Sequence, residues 1–529
     1  MAEYLWKRFW CPRGGVINLS DGGFLLDPEG EYSRWSRSDV VPFETIAQKP
    51  CLALLGEPGI GKSHAMEDLR ETLAESTKDS TDQILWLNLN EYGEESRLIR
   101  DLFECDTFMA WRQGHHVLHI LLDSLDECRC PTQIPQVGTI LANRFGEIKG
   151  HLSRLRLRIA CRTVDWPVKL DQSLPRLWGE DELDAYELAP LRRKDVELAA
   201  NVEGINATMF FEELNRTETI PLAIKPITLL FLLSAFKPHG HLPKTRTELY
   251  EAGCRLLCEE MNPNRLDLRD HGGAGHLSTD QRMVIASRIA AVSLYCRKPA
   301  IHIGTSPQVL DNEDVPISEL AGTKETLSGS HLPVTEDYIR EVIGTGLFSS
   351  RGAYRMGFDH QTFAEFLAAR YLDHSSLSSG KLLGMLRHQG DPEAHIVPQL
   401  SETAAWLAAR NREVFDALVR SNPQVLLRAD AAALSAEDRS SVVESLLNAL
   451  QTGQANDQDW DLHRHYIKLK HPGLADQLRP WITEKNRDLT ARATAIGIAS
   501  DCKVQELQGL LAEIALDQTG AERIRNDAT

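Results

Sequence analysis

The stretch that most constrains this chain joins a strand pattern to a glycine-rich loop and a helix pattern. Five apolar residues from Cys51 to Leu55 predict a buried strand of a parallel sheet. The next eight residues, Gly56 to Ser63, match the pattern G-x-x-x-x-G-K-[ST], and a helical pattern follows from His64 to about Glu75. This order of strand, loop and helix is the context in which the pattern forms a phosphate-binding loop.

The residues of this loop have the chemistry to hold a nucleoside triphosphate. Glycines let the backbone turn its N–H groups toward an anion, and the helix that begins there adds its dipole. Lys62 can reach the β- and γ-phosphates, and the Ser63 hydroxyl can bind Mg²⁺. We therefore expect ATP or ADP to bind here with Mg²⁺, the alternative being a chance match in a loop. The predicted nucleotide contacts are Gly56, Glu57, Pro58, Gly59, Ile60, Gly61, Lys62, Ser63 and His64.

A second group of candidate site residues follows another apolar strand, predicted from Val117 to Leu122. Asp123 at the tip of that strand is placed to hold Mg²⁺ opposite Ser63. Asp126 and Glu127 come next, and either of them can orient or deprotonate the attacking water. The alternative is that these acids only cap the following helix, which accounts for one acid more easily than for three.

Three more strands are predicted for the same sheet, at Ile84–Leu89, Leu155–Cys161 and Tyr186–Leu191. The last of these is expected to leave the sheet. Arg162 follows the tip of the strand that ends at Cys161, so it is expected to face the position of a γ-phosphate. It could then distinguish ATP from ADP by contacting that phosphate. The alternative for Arg162 is a surface ion pair with an acid.

Composition limits the partners of this chain. The formal net charge is −18 and the sequence pI is about 5.5, so bulk attraction to a nucleic-acid backbone is not expected. The N-terminus lacks a secretory pattern, and the longest apolar run, Ile227 to Phe236, is too short to span a bilayer. Ten scattered cysteines are typical of free thiols in a reducing compartment. We therefore expect a soluble cytoplasmic protein without a membrane partner.

The second half of the chain is predominantly helical in pattern. Residues 301–335, rich in Gly, Ser, Pro and Asp, predict a mobile loop or insertion. After Leu372 apolar residues recur at helical spacing, and two similar helix patterns place Arg492 and Arg525 33 residues apart. Helix pairs at such a period build a solenoid. The pattern stops near Arg525, so we expect the sequence to be cut short and the native protein to continue.

Several motifs taken together resemble the NACHT class of signal-transduction NTPases. They are the loop at Gly56–Ser63, Leu-Leu-Asp-Ser-Leu-Asp-Glu at Leu121–Glu127, Ala-Cys-Arg-Thr at Ala160–Thr163, a proline-bearing motif at Ile220–Leu229, and a string at Tyr354–Leu372. The acid-rich motif and the last string, which contains Phe-x-His-x-x-Phe-x-Glu-Phe-Leu-Ala-Ala, are the specific ones. The loop alone would not single out this class.

The resemblance covers about residues 45–375 and implies further site residues. It implies that Pro226 packs near the adenine and that His360 touches the β-phosphate of bound ADP in a closed state. Without the resemblance, the position of His360 on an amphipathic helix predicts a packed core residue instead. Lys225 stands before Pro226 where Gly or Asn is commoner in the class. The C-terminal helix pattern resembles HEAT repeats.

The predicted architecture is an α/β P-loop NTPase domain, with a parallel sheet and helices on both faces, followed by helical parts. These are an all-α lid, a winged-helix-like domain and a C-terminal α-solenoid. The predicted segments are a short N-terminal segment packed on the NTPase domain (1–42), the NTPase core (43–192), the lid (193–260), the winged-helix-like domain (261–375) and HEAT-like repeats (376–529).

By resemblance, the predicted function is an ATP/ADP-dependent signalling switch. A trigger on the C-terminal repeats, which is a phage or stress protein or a nucleic acid, would favour exchange of ADP for ATP and self-association of opened protomers. Slow ATP hydrolysis would reset the switch, and the role would be anti-phage or stress defence. The alternatives are a AAA+-type motor, a P-loop kinase, and a nucleotide-binding repeat scaffold without turnover.

Overall fold

The computed structural model of this chain forms two compact units, each made of several separate stretches. Unit 1 comprises Met1–Leu242, Glu251–Ala286 and Cys296–Phe363, and unit 2 comprises Pro243–Tyr250, Ser287–Tyr295 and Ala364–Thr529. The five predicted segments remain a prediction. The described residues are 4, 6–31, 37–128, 134–179, 183–243, 245–259, 277–304, 314–327, 329–391, 394–430, 434–455, 460–517 and 521–528.

A seven-stranded, mostly parallel sheet forms the centre of unit 1. Its strand order is β2-β1-β7-β3-β6-β5-β4, in which β3 to β7 run parallel and β1 pairs antiparallel with both β7 and β2. The strands are β1 (Phe9–Pro12), β2 (Val41–Pro42), β3 (Cys51–Leu55), β4 (Gln83–Asn88), β5 (Leu118–Asp123), β6 (Leu155–Cys161) and β7 (Leu183–Leu188).

Helices cover both faces of this sheet, as predicted. Alternate residues of β3 point to opposite faces, so Cys51, Ala53 and Leu55 enter one apolar cluster while Leu52 and Leu54 enter another. The first cluster includes residues of α3 to α6, and the second includes residues of α1 and α2. The helices are α1 (Phe43–Ile46), α2 (Lys62–Ser76), α3 (Glu95–Phe103), α4 (Asp106–Gln113), α5 (Ile134–Glu147) and α6 (Val168–Trp178).

Two features of the sheet differ from the sequence prediction. The strand predicted at Tyr186–Leu191 begins at Leu183 and lies inside the sheet, because β3 pairs with one of its edges and β1 with the other. The N-terminal stretch contributes β1 to the sheet instead of only packing against it. Phe9, Trp10 and Cys11 in β1 are each 2% exposed, so this strand is part of the core.

Helices and a smaller sheet follow. The helices are α7 (Arg193–Val202), α8 (Ala207–Arg216), α9 (Ile220–Ala223), α10 (Pro226–Phe236), α11 (Arg246–Cys258), α12 (Thr279–Tyr295), α13 (Ile317–Leu320) and α14 (Glu336–Ile343). The sheet has the order β12-β13-β8-β9, beside a separate hairpin of β10 and β11. The strands are β8 (Ala300–His302), β9 (Asp314–Pro316), β10 (Lys324–Leu327), β11 (Ser330–Pro333), β12 (Phe348–Ser350) and β13 (Arg355–Phe358).

These strands correct the prediction of a loop over residues 301–335. Strands β8 to β11 and helix α13 lie in that range, while residues 305–313 are outside the described residues. Strand β8 pairs with β9 and β13, whereas β10 and β11 pair only with each other. Each of the four strands has only three or four residues, too few for a clear alternating pattern. Whether this part belongs to the winged-helix class stays a prediction.

Unit 2 is helical over its described residues. Its helices are the start of α11, the end of α12, the end of α15 (Gln361–Asp373), α16 (Ser379–Leu386), α17 (Ser401–Ala408), α18 (Arg412–Ser421), α19 (Pro423–Leu426), α20 (Ala436–Gln451), α21 (Leu474–Thr483), α22 (Leu489–Asp501), α23 (Gln508–Leu516) and α24 (Glu522–Asp527). Helix α23 begins 34 residues after α21, and α24 begins 33 residues after α22. This spacing supports helix pairs, while the HEAT class stays a prediction. Within the part of the chain that the structure describes, no helix combines the length and the apolar character needed to cross a bilayer.

An aromatic cluster joins two of the three stretches of chain that form unit 2. The ring of Trp406 lies 5.0 Å from that of Tyr250 and 5.1 Å from that of Phe366, measured between centroids. The guanidinium of Arg246 lies 4.1 Å from the centroid of the Trp406 ring. The core of unit 2 therefore includes residues far apart in sequence.

Candidate functional site

The glycine-rich loop between β3 and α2 adopts a conformation that requires glycine at two positions. Gly59 has φ +74° and Gly61 has φ +97°, both in the left-handed region. A Cβ at Gly59 would lie 2.6 Å from Cγ2 of Ile227, and one at Gly61 would lie 2.8 Å from Nη1 of Arg8. Any larger residue would therefore be strained at either position, would clash with Ile227 at Gly59, and would displace the Arg8 guanidinium at Gly61.

Helix α2 begins directly at Lys62 and runs for 15 residues. Among the described residues, no side chain caps its first turn. Uncapped N–H groups and the positive end of the helix dipole at this position favour a bound anion. The order of strand, loop and helix is the predicted one, whereas binding of phosphate at this loop stays a prediction.

The side chain of Lys62 folds back into the loop. Its Nζ donates hydrogen bonds to the carbonyl oxygens of Gly56 and Glu57, the second at 3.2 Å. Burial lowers the pKa of Lys62, and the nearby Asp126 carboxylate opposes that shift. The ammonium group thus lies beside the loop, where phosphate oxygens could replace the two carbonyls as its partners.

Glu57 places a buried acid in the same loop. It is 5% exposed, and among the described residues its Oε2 has no hydrogen-bond partner. Burial raises the pKa of Glu57 to about 7, although the Lys62 ammonium opposes the rise. Near neutral pH a large fraction of this carboxyl group is therefore protonated and can donate a hydrogen bond.

Asp123 ends β5 at the same edge of the sheet. It is 4% exposed, and burial raises its pKa to about 6, with the Lys62 ammonium again opposing the rise. Ser124 has φ +58°, so the backbone turns sharply after the carboxylate. Ser63 is exposed on the first turn of α2.

Ser63 and Asp123 have the oxygen ligands that suit a magnesium ion shared with a phosphate. Mg²⁺ usually takes one or two protein oxygens and completes its shell with water and phosphate oxygens. Within the described ranges, no group of three His, Cys, Asp or Glu side chains could hold a metal by itself. The Ser63 hydroxyl and the Asp123 carboxylate are the residues that would hold Mg²⁺ beside a nucleotide.

The structure brings Asp126, Glu127 and Arg162 together. The backbone N–H of Arg162 donates to Oδ1 of Asp126 at 2.9 Å, and its Nε lies 2.9 Å from Oδ2. Its Nη2 lies 3.9 Å from Oε1 of Glu127. Asp126 and Arg162 are 5% and 6% exposed, whereas the Glu127 side chain is 20% exposed. The ion pair expected as the alternative for Arg162 thus forms, but it is buried.

Pro226 lies beside the loop, as the resemblance implies. It is the first residue of α10, and its Cγ is 3.9 Å from the Cβ position of Gly61. Contact of Pro226 with an adenine stays a prediction. Lys225, which precedes it, is 1% exposed, donates to the carbonyl oxygen of Gly346 at 2.5 Å and lies 3.2 Å from Oδ2 of Asp359.

His360 follows Asp359, so the Lys225–Asp359 ion pair brings its segment toward that of Pro226. The Nδ1 of His360 accepts a hydrogen bond from the N–H of Thr362 at 3.2 Å, at the start of α15. Its ring is half-buried and lies 6.1 Å from the ring of Phe363 between centroids. Contact of His360 with a phosphate stays a prediction.

The hairpin of β12 and β13 contacts α6, and the turn before it contacts the glycine-rich loop. The Tyr354 hydroxyl donates to Oδ2 of Asp171 at 3.0 Å, and Asp171 also pairs with Arg13 at 2.8 Å. A Cβ at Gly346 would lie 3.3 Å from the carbonyl oxygen of Pro58 in the loop. The loop is therefore covered by the start of α10 and by this turn.

Sequence reasoning did not identify Arg8, Asp359 or the role of Lys225 at this site. Lys225 had a signal, because it stands where Gly or Asn is commoner in the NACHT class. Arg8 and Asp359 had none, since their partners are distant in sequence. Neither the profiles of known protein families nor the curated proteins compared with this chain match it. The chemistry of the site therefore has to come from its own residues.

Proposed function

We propose that this chain is a nucleotide-controlled signalling switch of the NACHT class that binds ATP or ADP with Mg²⁺. The observation that supports this most is the meeting of Lys62, Asp123 and the Asp126–Arg162 pair at the carboxyl ends of β3, β5 and β6. Ligands of open α/β sheets bind at this edge. The uncapped start of α2 at the same place favours the phosphates.

Each side chain then has a defined task. Lys62 exchanges its carbonyl partners in the loop for phosphate oxygens, and Ser63 and Asp123 hold the metal. Bound Mg²⁺ would neutralise phosphate charge during transfer. Glu127 orients the attacking water, since Asp126 is engaged by two groups of Arg162. Arg162, fixed beside these acids, is the candidate sensor of the γ-phosphate.

The covered loop supports a switch instead of a fast enzyme. Lys225 and the turn at Gly346 link the region after α14 to the nucleotide loop. Moving such a closed state from 99% to 1% of the population requires about 5.5 kcal/mol of differential binding. Contacts of a γ-phosphate with Lys62 and Arg162 could supply part of this, and association of protomers the rest. Hydrolysis would be slow and would reset the switch.

The C-terminal helices are the proposed sensor. Paired helices such as α21–α22 and α23–α24 offer broad surfaces to macromolecules. We propose that a phage or stress protein, or a nucleic acid, binds there and favours nucleotide exchange and self-association. The protein would then act in the cytoplasm in defence or stress signalling.

The first experiment measures nucleotide binding. Fluorescent ADP is titrated into the wild-type protein and into Lys62→Ala, with Lys78→Ala as the control because Lys78 is 70% exposed at the end of α2. Lys62→Ala should weaken binding by a factor on the order of 100, since a charge-assisted bond to phosphate is lost. Absence of nucleotide binding by the wild-type protein would contradict the proposal.

The second experiment measures mass and turnover. Light scattering should give a larger particle with a slowly hydrolysed ATP analogue than with ADP. ATP hydrolysis at rates on the order of 10 s⁻¹ would instead indicate a motor. Equal mass in both nucleotide states, together with normal binding, would leave a nucleotide-binding scaffold.

A further inference from the structure

Arg8 lies between the glycine-rich loop and the edge of the sheet. It directly precedes β1, and its guanidinium bridges two backbone carbonyls. Nη1 donates to the carbonyl oxygen of Ile60 at 2.7 Å, and Nη2 donates to that of Ala189 at 2.7 Å. Ala189 is in turn fixed, because its N–H donates to the carbonyl oxygen of Phe9 at 2.9 Å. One arginine thus ties the loop to the end of β7.

This contact bears on how the loop presents its N–H groups. In a phosphate-binding loop the N–H groups face the anion, so the carbonyls must point outward and find other partners. Ile60 is 5% exposed, and a buried carbonyl without a hydrogen-bond partner destabilises the fold. Arg8 supplies the partner for Ile60, and its Nη1 lies 2.8 Å from the Cβ position of Gly61.

The charge of Arg8 adds to the same effect. Its guanidinium hydrogen bonds go to backbone carbonyls, while the carboxylates of Asp195 and Asp68 attract it electrostatically. Burial lowers the pKa of Arg8 to about 10, which still leaves it protonated at neutral pH. A protonated guanidinium bonded to the loop raises the local affinity for an anion.

We propose that Arg8 is a positioning residue of the nucleotide site, which holds the loop in its anion-binding conformation through the Ile60 carbonyl. The residues around β1 then belong to the site and are not only structural. This inference rests on the proposed nucleotide binding. Because Arg8 acts through the loop, it should affect every phosphate ligand equally, whatever base or sugar is attached.

The experiment compares ADP with inorganic pyrophosphate in calorimetric titrations. Arg8→Ala should weaken the binding of both by about tenfold or more, and by similar factors, which corresponds to the loss of a charged hydrogen bond. Arg8→Lys keeps the charge but loses the two-pronged contact, so its affinities should be intermediate. Lys7→Ala is the control, since Lys7 is 41% exposed and pairs with Glu29 at the surface.

Stability is measured in parallel, because a purely structural arginine would lower the melting temperature of the ligand-free protein and leave both affinities unchanged. That outcome in Arg8→Lys or Arg8→Ala would overturn the proposal. Weaker ADP binding with unchanged pyrophosphate binding would overturn it as well. If Arg8→Ala does not fold, Arg8→Lys decides, and wild-type affinities in that variant count against the proposal.

Loss of binding in Lys62→Ala together with normal binding in both Arg8 variants would refute only Arg8's role. Failure of the wild-type protein to bind ADP would refute nucleotide binding itself.

Discussion

The neighbouring acids Asp126 and Glu127 differ in what holds them, and this separates their roles. Both oxygens of Asp126 are bonded to Arg162, one through the backbone N–H and one through Nε, each at 2.9 Å. Glu127 is 3.9 Å from the same guanidinium and closer to solvent. The geometry therefore makes Asp126 the partner that fixes Arg162, which leaves Glu127 as the residue that we propose to orient water.

We predict opposite effects of two conservative variants. Asp126→Asn leaves Arg162 without its buried counter-charge and should lower the free energy of unfolding by about 3 kcal/mol or more. Glu127→Gln should leave stability within about 1 kcal/mol of wild type but reduce ATP turnover by roughly 100-fold. Urea unfolding and single-turnover hydrolysis measure the two effects. Unchanged turnover in Glu127→Gln would return the catalytic role to Asp126.

Glu57 predicts a pH dependence of stability. Its pKa is raised from 4.5 in the unfolded chain to about 7, so the folded protein holds the proton more tightly. Its contribution to stability is therefore greatest below pH 4.5 and is lost as the pH rises toward 7. Glu57→Gln has no carboxyl group to titrate, so it does not lose this stability. The free energy of unfolding of the variant, relative to that of wild type, should therefore increase by roughly 1–3 kcal/mol as the pH rises from 5 to 8.

Denaturant unfolding of wild type and Glu57→Gln at pH 5 and at pH 8 tests this prediction. Glu75→Gln is the control, because the Glu75 side chain is 80% exposed on the same stretch of chain. A difference between Glu57→Gln and wild type that is the same at pH 5 and pH 8 would show that Glu57 does not titrate in this range.

The sequence could identify those site residues that belong to a local pattern. Lys62 and Asp123 could be proposed because a loop or a strand tip marks them within a few positions. Arg8 could not be found in this way, since its partners Ile60 and Ala189 are 52 and 181 positions away. The choice between Asp126 and Glu127 also needed the position of Arg162, which comes from another strand.

At the scale of elements, the Lys225–Asp359 ion pair joins the start of α10 to the segment after β13. Lys225 is 1% exposed and the Asp359 side chain 14% exposed. Removal of one partner from a buried pair leaves the other charge without compensation, which costs about 3–5 kcal/mol. This pair therefore holds two segments that cover the nucleotide loop.

We predict strong coupling in a double-mutant cycle. Lys225→Met and Asp359→Asn should each lower the free energy of unfolding by about 3 kcal/mol, and the double variant by clearly less than their sum. The surface pair Lys49–Asp184, at 2.9 Å and with side chains 38% and 35% exposed, is the control and should couple by less than about 1 kcal/mol. Additive effects for Lys225 and Asp359 in urea unfolding would show that the pair does not act as a unit.

Elements that are long and apolar were predictable, whereas short paired ones were not. The strand at Leu155–Cys161 was predicted with its observed bounds, because seven residues in a buried strand form a clear pattern. Strand β1 was missed, since its four residues include Pro12 and are held by pairing with β7. Strands β8 to β11 were predicted as loop because each has only three or four residues, too few for a clear alternating pattern.

At the scale of the whole molecule, unit 2 draws on three separate stretches of the chain. Trp406 contacts Tyr250 and Phe366, neither of which lies in the predicted repeat segment 376–529. A repeat segment without those rings would expose an apolar face. The predicted segment is therefore not expected to fold as well by itself as it does in the complete chain.

We predict that residues 376–529, expressed alone, lack a cooperative thermal transition by calorimetry. In the full chain, Trp406→Ala should destabilise unit 2 by about 3–5 kcal/mol, because a large buried ring is removed. Leu489→Ala is the control, since Leu489 is 48% exposed and should change stability by less than about 1 kcal/mol. A sharp transition of the isolated segment at the temperature of the full chain would contradict this.

The stretches of the two units alternate along the sequence, and this order also matters during synthesis of the protein. Tyr250 leaves the ribosome well before Trp406, and at about 5–20 residues per second the delay is on the order of ten seconds. During that time the stretches 243–250 and 287–295 have no partner from the later part of the chain. Their apolar side chains are then exposed on the nascent polypeptide, which makes this interval the one in which a chaperone would be needed most.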